Sequence, residues 1–297
     1  MAKKSKKAKA EQFRLSCMFC GDTGSSREHY IPTWSHKYFE HIEPRLHTSD
    51  IKFSFKPVGV DPPIVEEKER KSGRSRIHDP IRQVCETCNN TWMGNIVNAA
   101  KGALERYAFP SGVEPTQVIS PEEQMVMARW AVLTALTYVN YKEPGSITRF
   151  DLDHIRRHGS IPPGWQVAMA RMDHPGWNAV LIHDVINGVF SGEIRPLAGP
   201  YMMICLINSA FFVWKATPGD LISMLARLNE PAFRAIYPPF GGGPLRWIDM
   251  PVLTAERVEA LELKVVQAKL AAFKSRNEVE QARRNFIGSG GAPPRHL

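Results

Sequence analysis

Two Cys-x-x-Cys turns constrain this chain more than any other feature. Cys17-Met18-Phe19-Cys20 and Cys85-Glu86-Thr87-Cys88 use four of its five cysteines. Such a turn brings two thiolates close enough to share one ion, and two turns complete a tetrahedral four-sulfur shell with Zn–S bonds of about 2.3 Å. The 64 residues between Cys20 and Cys85 exceed the usual spacing of about 15–20. Loop-closure entropy grows only slowly with length, so the long insertion does not remove the metal chemistry. A redox dithiol needs one such turn beside a βαβ pattern rather than two. Disulfides are the other rival. The lysine-rich start, Met1 to Lys9, is not followed by the apolar run of a secretory signal. The expected compartment is therefore the cytoplasm, where thiols stay reduced and metal is favoured over disulfide. Structural Zn2+ is the expectation. Cys205, inside the apolar run Tyr201–Ile207, reads as a buried small hydrophobe.

Beside the cysteines stand residues with a different chemistry. Glu28-His29 follows the first turn and Asn89-Asn90 directly follows the second. Hydrolysing a phosphodiester needs an activated water, a cation on the phosphoryl and leaving oxygens, and an in-line arrangement of all three. Histidine is the natural general base near neutral pH. A hard cation keeps several waters, so one carboxylate and one amide oxygen suffice to hold it. Glu28, His29 and Asn89 supply that set. Neighbours on a strand point to opposite faces, so Glu28 and His29 can share a site only where the chain leaves regular strand geometry. Plainer roles compete. Glu28-His29 could brace the zinc from outside, and Asn89 or Asn90 could cap the helix that follows. His36, His41, His47 and His78 read as solvated or core-satisfied, and His183-Asp184 as an exposed strand position. His154, His158 and His174 carry no assignment.

The residues Cys17, Cys20, Glu28-His29-Tyr30-Ile31-Pro32, Cys85, Cys88 and Asn89 resemble the zinc-bearing branch of the HNH, or ββα-metal, endonucleases. Cys88-Asn89-Asn90-Thr91-Trp92-Met93 and Pro32-Thr33-Trp34 look like a large bacterial and phage group of that family, with settings such as phage mobility or defence. The resemblance implies His29 as general base, Glu28 and Asn89 holding a catalytic Mg2+ or Mn2+, and the four cysteines holding a separate structural zinc. It covers residues 17–93. The chain departs from the family in having Glu28 where Asp is usual, no middle asparagine across Ile77–Val84, and Asn89 in place of the last histidine. The alternative is a non-catalytic zinc-scaffolded nucleic-acid-binding or regulatory protein.

The formal net charge of +8 points to a polyanionic partner, and the resemblance implies nucleic acid, with DNA ahead of RNA. Much of the surplus is a tail, with Lys3, Lys4, Lys6, Lys7, Lys9 and Arg14 against Glu11. A second concentration sets Lys68, Arg70, Lys71, Arg74, Arg76 and Arg82 against Glu69 and Asp79, and runs straight into Cys85. Of these, Arg70, Lys71, Arg74, Arg76 and Arg82 are the candidate phosphate contacts.

The expected fold class is α+β, with an N-terminal treble-clef ββα-metal zinc module followed by a helical and antiparallel-sheet C-terminal region. The divisions are a disordered basic tail (1–14), the zinc module (15–108), a C-terminal α+β domain of unassigned role (120–285) and a disordered end (286–297). Within the module, residues 15–34 read as a knuckle with a short hairpin, Ile51–Val60 and Ile64–Glu69 as strands, and Asn90–Tyr107 as a helix. Phe109–Pro121 reads as a linker. Ser120-Pro121-Glu122-Glu123 gives an N-cap, a first-turn proline and a capping-box glutamate. That helix runs to about Tyr141, with Met125, Ala128, Val132, Ala135, Leu136 and Val139 on one core face. Trp165–Met172, Ala179–Ile186 and Tyr201–Trp214 read as antiparallel strands, and Pro218–Leu228 as a short helix. A long helix is expected from Thr254 to about Asn285, with a seam suited to weak self-association at most. No apolar run approaches the roughly 20 residues of a membrane span.

Overall fold

A computed structural model describes residues 16–23, 26–39, 49–54, 64–69, 80–112, 115, 117–173, 180–184, 187–190, 193–196, 200–215, 233–238, 243–254 and 256–257. The basic tail, Arg70, Lys71, Arg74, Arg76, His41, His47, His78, Asp79, His174, the Pro218–Leu228 segment, nearly all of the C-terminal helix and the 286–297 end lie outside them. The fold is α+β. The chain forms two compact units: Met1–Thr48 with Lys71–Ala255, and Ser49–Arg70 with Glu256–Leu297. In the second, β1 (Ser49–Ser54) and β2 (Ile64–Glu69) form an antiparallel ladder from Ser49↔Glu69 to Ser54↔Ile64. The first strand includes Ser49 and Asp50, ahead of the Ile51 start its apolar pattern suggests, and the rest of the expected run, residues 55–60, lies outside the described residues.

The first unit begins with the cysteine turns. Among the described residues of 15–34 the pairing is limited to single bridges: Ser16 pairs with Thr23, and Glu28 with Ile81 instead of a near neighbour. A 3-10 turn, Thr33–Tyr38, follows. The helical segment after the second cysteine turn starts earlier than expected. It comprises α1 (Glu86–Cys88), a π turn (Asn89–Met93) and α2 (Gly94–Tyr107). Its N-cap is Cys85, whose sulfur accepts from Cys88 N–H at 3.4 Å. Asn89 and Asn90 thus lie inside the helix and do not cap it.

The expected linker is exposed at Pro110, Gly112, Gln117 and Val118 but anchored at its ends. Tyr107, Ala108, Phe109 and Ile119 are all buried, and Phe109 stacks on Tyr38 at 5.2 Å. Tyr107 Oη donates to Val118 O at 3.1 Å, and Arg106 pairs with Glu123. The boundary read near residues 109–120 consequently falls inside the first unit. At α3 (Pro121–Lys142) the capping box forms as its sequence dictates. Ser120 N–H donates to Glu123 Oε2 at 2.9 Å, and Glu123 N–H to Ser120 Oγ at 3.2 Å.

The long helix departs from the one-sided pattern. From Trp130 to Asn140 every residue is buried, whereas Met125 is only partly covered. The cause is a partner on each side. One is the six-stranded sheet, ordered β7 (Arg234–Tyr237), β3 (Trp165–Met172), β6 (Ser209–Lys215), β5 (Tyr201–Cys205) and β4 (Val180–Asp184), with β8 (Val252–Leu253) also pairing β3. The other is the cysteine module: Tyr30 meets Tyr138 with ring centres 5.0 Å apart, and Asn140 Nδ2 lies 3.8 Å from Met18 Sδ. A helix buried all round belongs in the middle of a core. One hydrophobic cluster accordingly runs from Cys17 to Met250. The run Tyr201–Trp214 is two strands rather than one, paired antiparallel from Tyr201↔Trp214 to Cys205↔Ala210. Cys205 is fully buried, as its apolar surroundings imply.

Beyond α3, α4 (Arg149–His158) sends one side chain back to the module. Arg149 donates to Met18 O at 3.0 Å and Phe19 O at 2.7 Å, while Asp153 holds the same guanidinium at 2.7 Å. These are charge-assisted bonds to the two carbonyls between Cys17 and Cys20. Because the guanidinium is partly solvated, Arg149→Ala is expected to cost about 1–2 kcal/mol in urea unfolding and to speed zinc loss to a chelator. An unchanged chelation rate contradicts a role in holding the knuckle.

Candidate metal centre and adjoining cavity

Cys17, Cys20, Cys85 and Cys88 converge although the chain separates them. Gly21 takes φ +81° just after the first pair, a conformation glycine adopts at no steric cost. Cys17 N–H then donates to Asp22 O at 2.8 Å, and Gly21 N–H to Cys17 O at 2.8 Å, closing the knuckle. The second turn is laid against it by Met18 N–H to Gln83 O at 2.8 Å and Ser26 N–H to Val84 O at 2.7 Å. The four sulfur atoms lie within 4.8 Å of one another, and Cys20 Sγ is 3.6 Å from Cys85 Sγ. A tetrahedron with Zn–S bonds of about 2.3 Å has S···S edges of about 3.8 Å. The spacing fits a four-sulfur metal shell and is far too long for a disulfide, and all four thiols are free.

The thiol acidities show why such a cluster wants a cation. Burial raises Cys17, but hydrogen bonds from the Cys85, Cys20 and Phe19 backbone outweigh it and bring the thiol down to about 7. Burial pushes Cys88 up to about 11 and Cys20 higher still. Thiols this close cannot all ionise unless a positive ion sits among them, which is the coupling of metal binding to deprotonation.

A cavity of about 260 Å³ opens beside this cluster, and Glu28, His29 and Asn89 all line it. The chain at Glu28 makes a single bridge, with Ile81 N–H donating to Glu28 O at 2.6 Å, and then bends. Adjacent side chains can thus reach one space. Asn89 arrives from the π turn, whose wider winding lets Gly94 N–H bond Asn89 O. A Cβ on Gly94 would stand 3.2 Å from that oxygen, so only glycine passes without displacement.

Asn89 hydrogen-bonds the Glu28 carboxyl. Even so, burial dominates and pushes the acid up to about 7, with Asn89 and the His29 backbone pulling it down. His29 Nδ1 lies 3.1 Å from Arg27 O. A carbonyl can only accept, so Nδ1 carries the proton and the neutral ring keeps its lone pair at Nε2. His36 stands with its ring centre 5.4 Å from that of His29 and its Nε2 3.2 Å from Ile31 O, a core-satisfied histidine.

The elevated Glu28 acidity constant has a sign that can be tested. The folded value lies above the ordinary 4.5, so its contribution is present below pH 4.5 and is lost as pH rises through 7. Without added divalent ion, Glu28→Gln is expected to gain on wild type in urea unfolding by about 2 kcal/mol between pH 5 and pH 8. A pH-independent difference contradicts burial of the charge.

Of the candidate phosphate contacts, Arg82 alone is described; it is exposed, one residue past the bridge to Glu28. Sequence reasoning missed Arg27, which lines the cavity, and gave no role to Trp34 beyond its place in the motif. It also missed the far wall, where α3 contributes Trp130, Thr134 and Thr137. Nothing in the helical periodicity of α3 separates a residue facing a cavity from one packed in the core. His154 lies with its Nε2 3.0 Å from Ser160 Oγ, apart from this site. Among the described residues no helix is long and apolar enough to cross a membrane. A scan against protein-family models and searches of curated proteins and of solved structures find no match to this chain.

Proposed function

We propose that this chain is a zinc-scaffolded, metal-dependent endonuclease of the HNH type, hydrolysing phosphodiester bonds in nucleic acid, DNA ahead of RNA. The observation that carries the reading is the convergence of Glu28, His29 and Asn89 on one open cavity beside the four-cysteine cluster. The treble-clef description belongs to the same proposal: a knuckle, a bridged Glu28 strand segment and a helix rising from the second cysteine pair. Four sulfur ligands saturate a zinc ion, so its role there is structural. The Glu28 carboxylate and the Asn89 amide oxygen would hold Mg2+ or Mn2+. The residues fit by type: the Asn89 amide donates to the Glu28 carboxyl here, a turn of that amide presents its oxygen instead, and a carboxylate whose charge is disfavoured by burial gains from a cation. When bound, such an ion supplies charge stabilisation to the phosphoryl and leaving oxygens.

The chain's own residues supply the rest. The Nδ1 bond to Arg27 O fixes the His29 ring, and the Nε2 lone pair can take a proton from the attacking water. Arg27 and Arg82 offer positive charge to the flanking phosphates, joined in this reading by Arg70, Lys71, Arg74 and Arg76. The test is plasmid cleavage by purified, zinc-loaded protein with Mg2+ or Mn2+, with His29→Ala alongside. Nicking or linearisation that His29→Ala abolishes is the expected result. Wild-type protein that holds zinc and cuts neither duplex nor single-stranded DNA sinks the reading. The rival, a zinc-scaffolded nucleic-acid binder, shares the zinc and the affinity and differs in this outcome alone.

A further inference from the structure

We infer that the cavity receives one unpaired base of the strand being cut, so that the substrate is single-stranded or locally opened DNA rather than intact duplex. The inference rests on the nuclease reading for the position of the phosphate. The cavity's 260 Å³ exceeds what one phosphate fills and leaves room for a single heterocycle, but not for a base pair in its duplex. Its far wall is no movable loop: α3 is buried all round where it contributes Trp130, Thr134 and Thr137. A base next to a phosphate at Glu28 and Asn89 can enter this cavity only after leaving its pair.

The lining suits a base. Trp34 offers an aromatic platform, and Phe109 backs it edge-on with ring centres 5.6 Å apart. Stacking on such a ring tolerates any base. The Asn98 amide and the Thr134 hydroxyl supply the kinds of groups that read a base edge, while the Thr137 hydroxyl donates to Leu133 O at 2.7 Å. Positive charge is close at hand, with Lys101 Nζ over one face of the Trp34 ring, 5.6 Å from its centre, and Arg27 lining the same cavity. A strand leaving the pocket would meet these cations at its next phosphates.

The experiment measures binding by the full-length His29→Ala protein, zinc content verified, so that nothing is cut. Fluorescein-labelled probes of one sequence are offered as a single strand, as a duplex with an internal bubble, and as a matched duplex. The single strand and bubble are expected to bind at least about tenfold more tightly than the matched duplex. Adding Trp34→Ala should weaken them about tenfold, and Trp34→Phe should restore most of the loss. Thr134→Leu, which narrows the pocket without touching the platform, should mimic Trp34→Ala and guards against simple misfolding at Trp34. Equal affinity for matched and unpaired DNA overturns the inference, as does indifference to both Trp34→Ala and Thr134→Leu. Cleavage is scored separately on wild type. A preserved binding preference without cutting sinks the nuclease reading and leaves the base pocket standing, whereas cutting without preference does the reverse.

Discussion

Cys85→Ser is expected to empty the zinc site and cost at least about 3 kcal/mol of stability, the largest structural effect of any single change here. Cys85 does two jobs at once. Its sulfur lies 3.6 Å from Cys20 Sγ in the cluster, and it caps the helical segment by accepting from Cys88 N–H at 3.4 Å. Serine can serve the second role but is a poor substitute for a thiolate in the first. The loss should spread beyond the module, because the cysteines belong to the same hydrophobic cluster as α3 and the sheet. Metal analysis should show about one zinc per chain in wild type and a clear shortfall in the variant, with urea unfolding reporting the stability. Cys205→Ala is the control: that thiol is fully buried in β5 and outside the four-cysteine cluster, so its variant should lose packing energy and keep its zinc. Full zinc content in Cys85→Ser removes Cys85 from the ligand set.

His29→Ala should lower the cleavage rate by about 10²–10⁴-fold, the range for loss of a positioned general base, while leaving zinc and fold intact. The separation follows from geometry. The ring is tied to Arg27 O through Nδ1 and lines the cavity, but it is not one of the four sulfur ligands. A residue that merely braced the zinc would move zinc content and stability when removed. Cutting at the wild-type rate excludes His29 as the base. Zinc loss in parallel with activity makes it a brace, and the nuclease assignment would then need another base.

Several features were legible from residues alone because their causes are local. The capping box at Ser120 and Glu123 forms where the spacing places it, since both partners lie within one turn. Trp165–Met172 is a strand with the bounds its apolar run suggests. Each cysteine turn carries its own geometry, the first closed by Gly21 at positive φ, although bringing the two together took the long-range bonds from Met18 to Gln83 and from Ser26 to Val84. Other readings failed where a distant partner decides. Asn89 looks like a helix cap, yet Cys85 occupies that place and a π turn carries Asn89 to the Glu28 carboxyl. Helix type depends on which hydrogen bonds close after the chain has packed. The one-sided core face of α3 became burial on every side, because periodicity reports a first packing partner and cannot announce a second.

The sequence by itself determined the chemistry on offer: four thiols in two turns, an acid–histidine pair, an amide after the last cysteine, and basic residues around them. These depend on residue type and short spacing. Only the tertiary structure decided that Glu28, His29 and Asn89 share one cavity, and that a helix from the other half of the chain forms its far wall. The Glu28–Ile81 bridge joins positions far apart in sequence, and α3 can close the cavity only because the sheet holds its opposite side. Such proximity arises from long-range packing, where many weak contacts act together and none leaves a local pattern in the sequence.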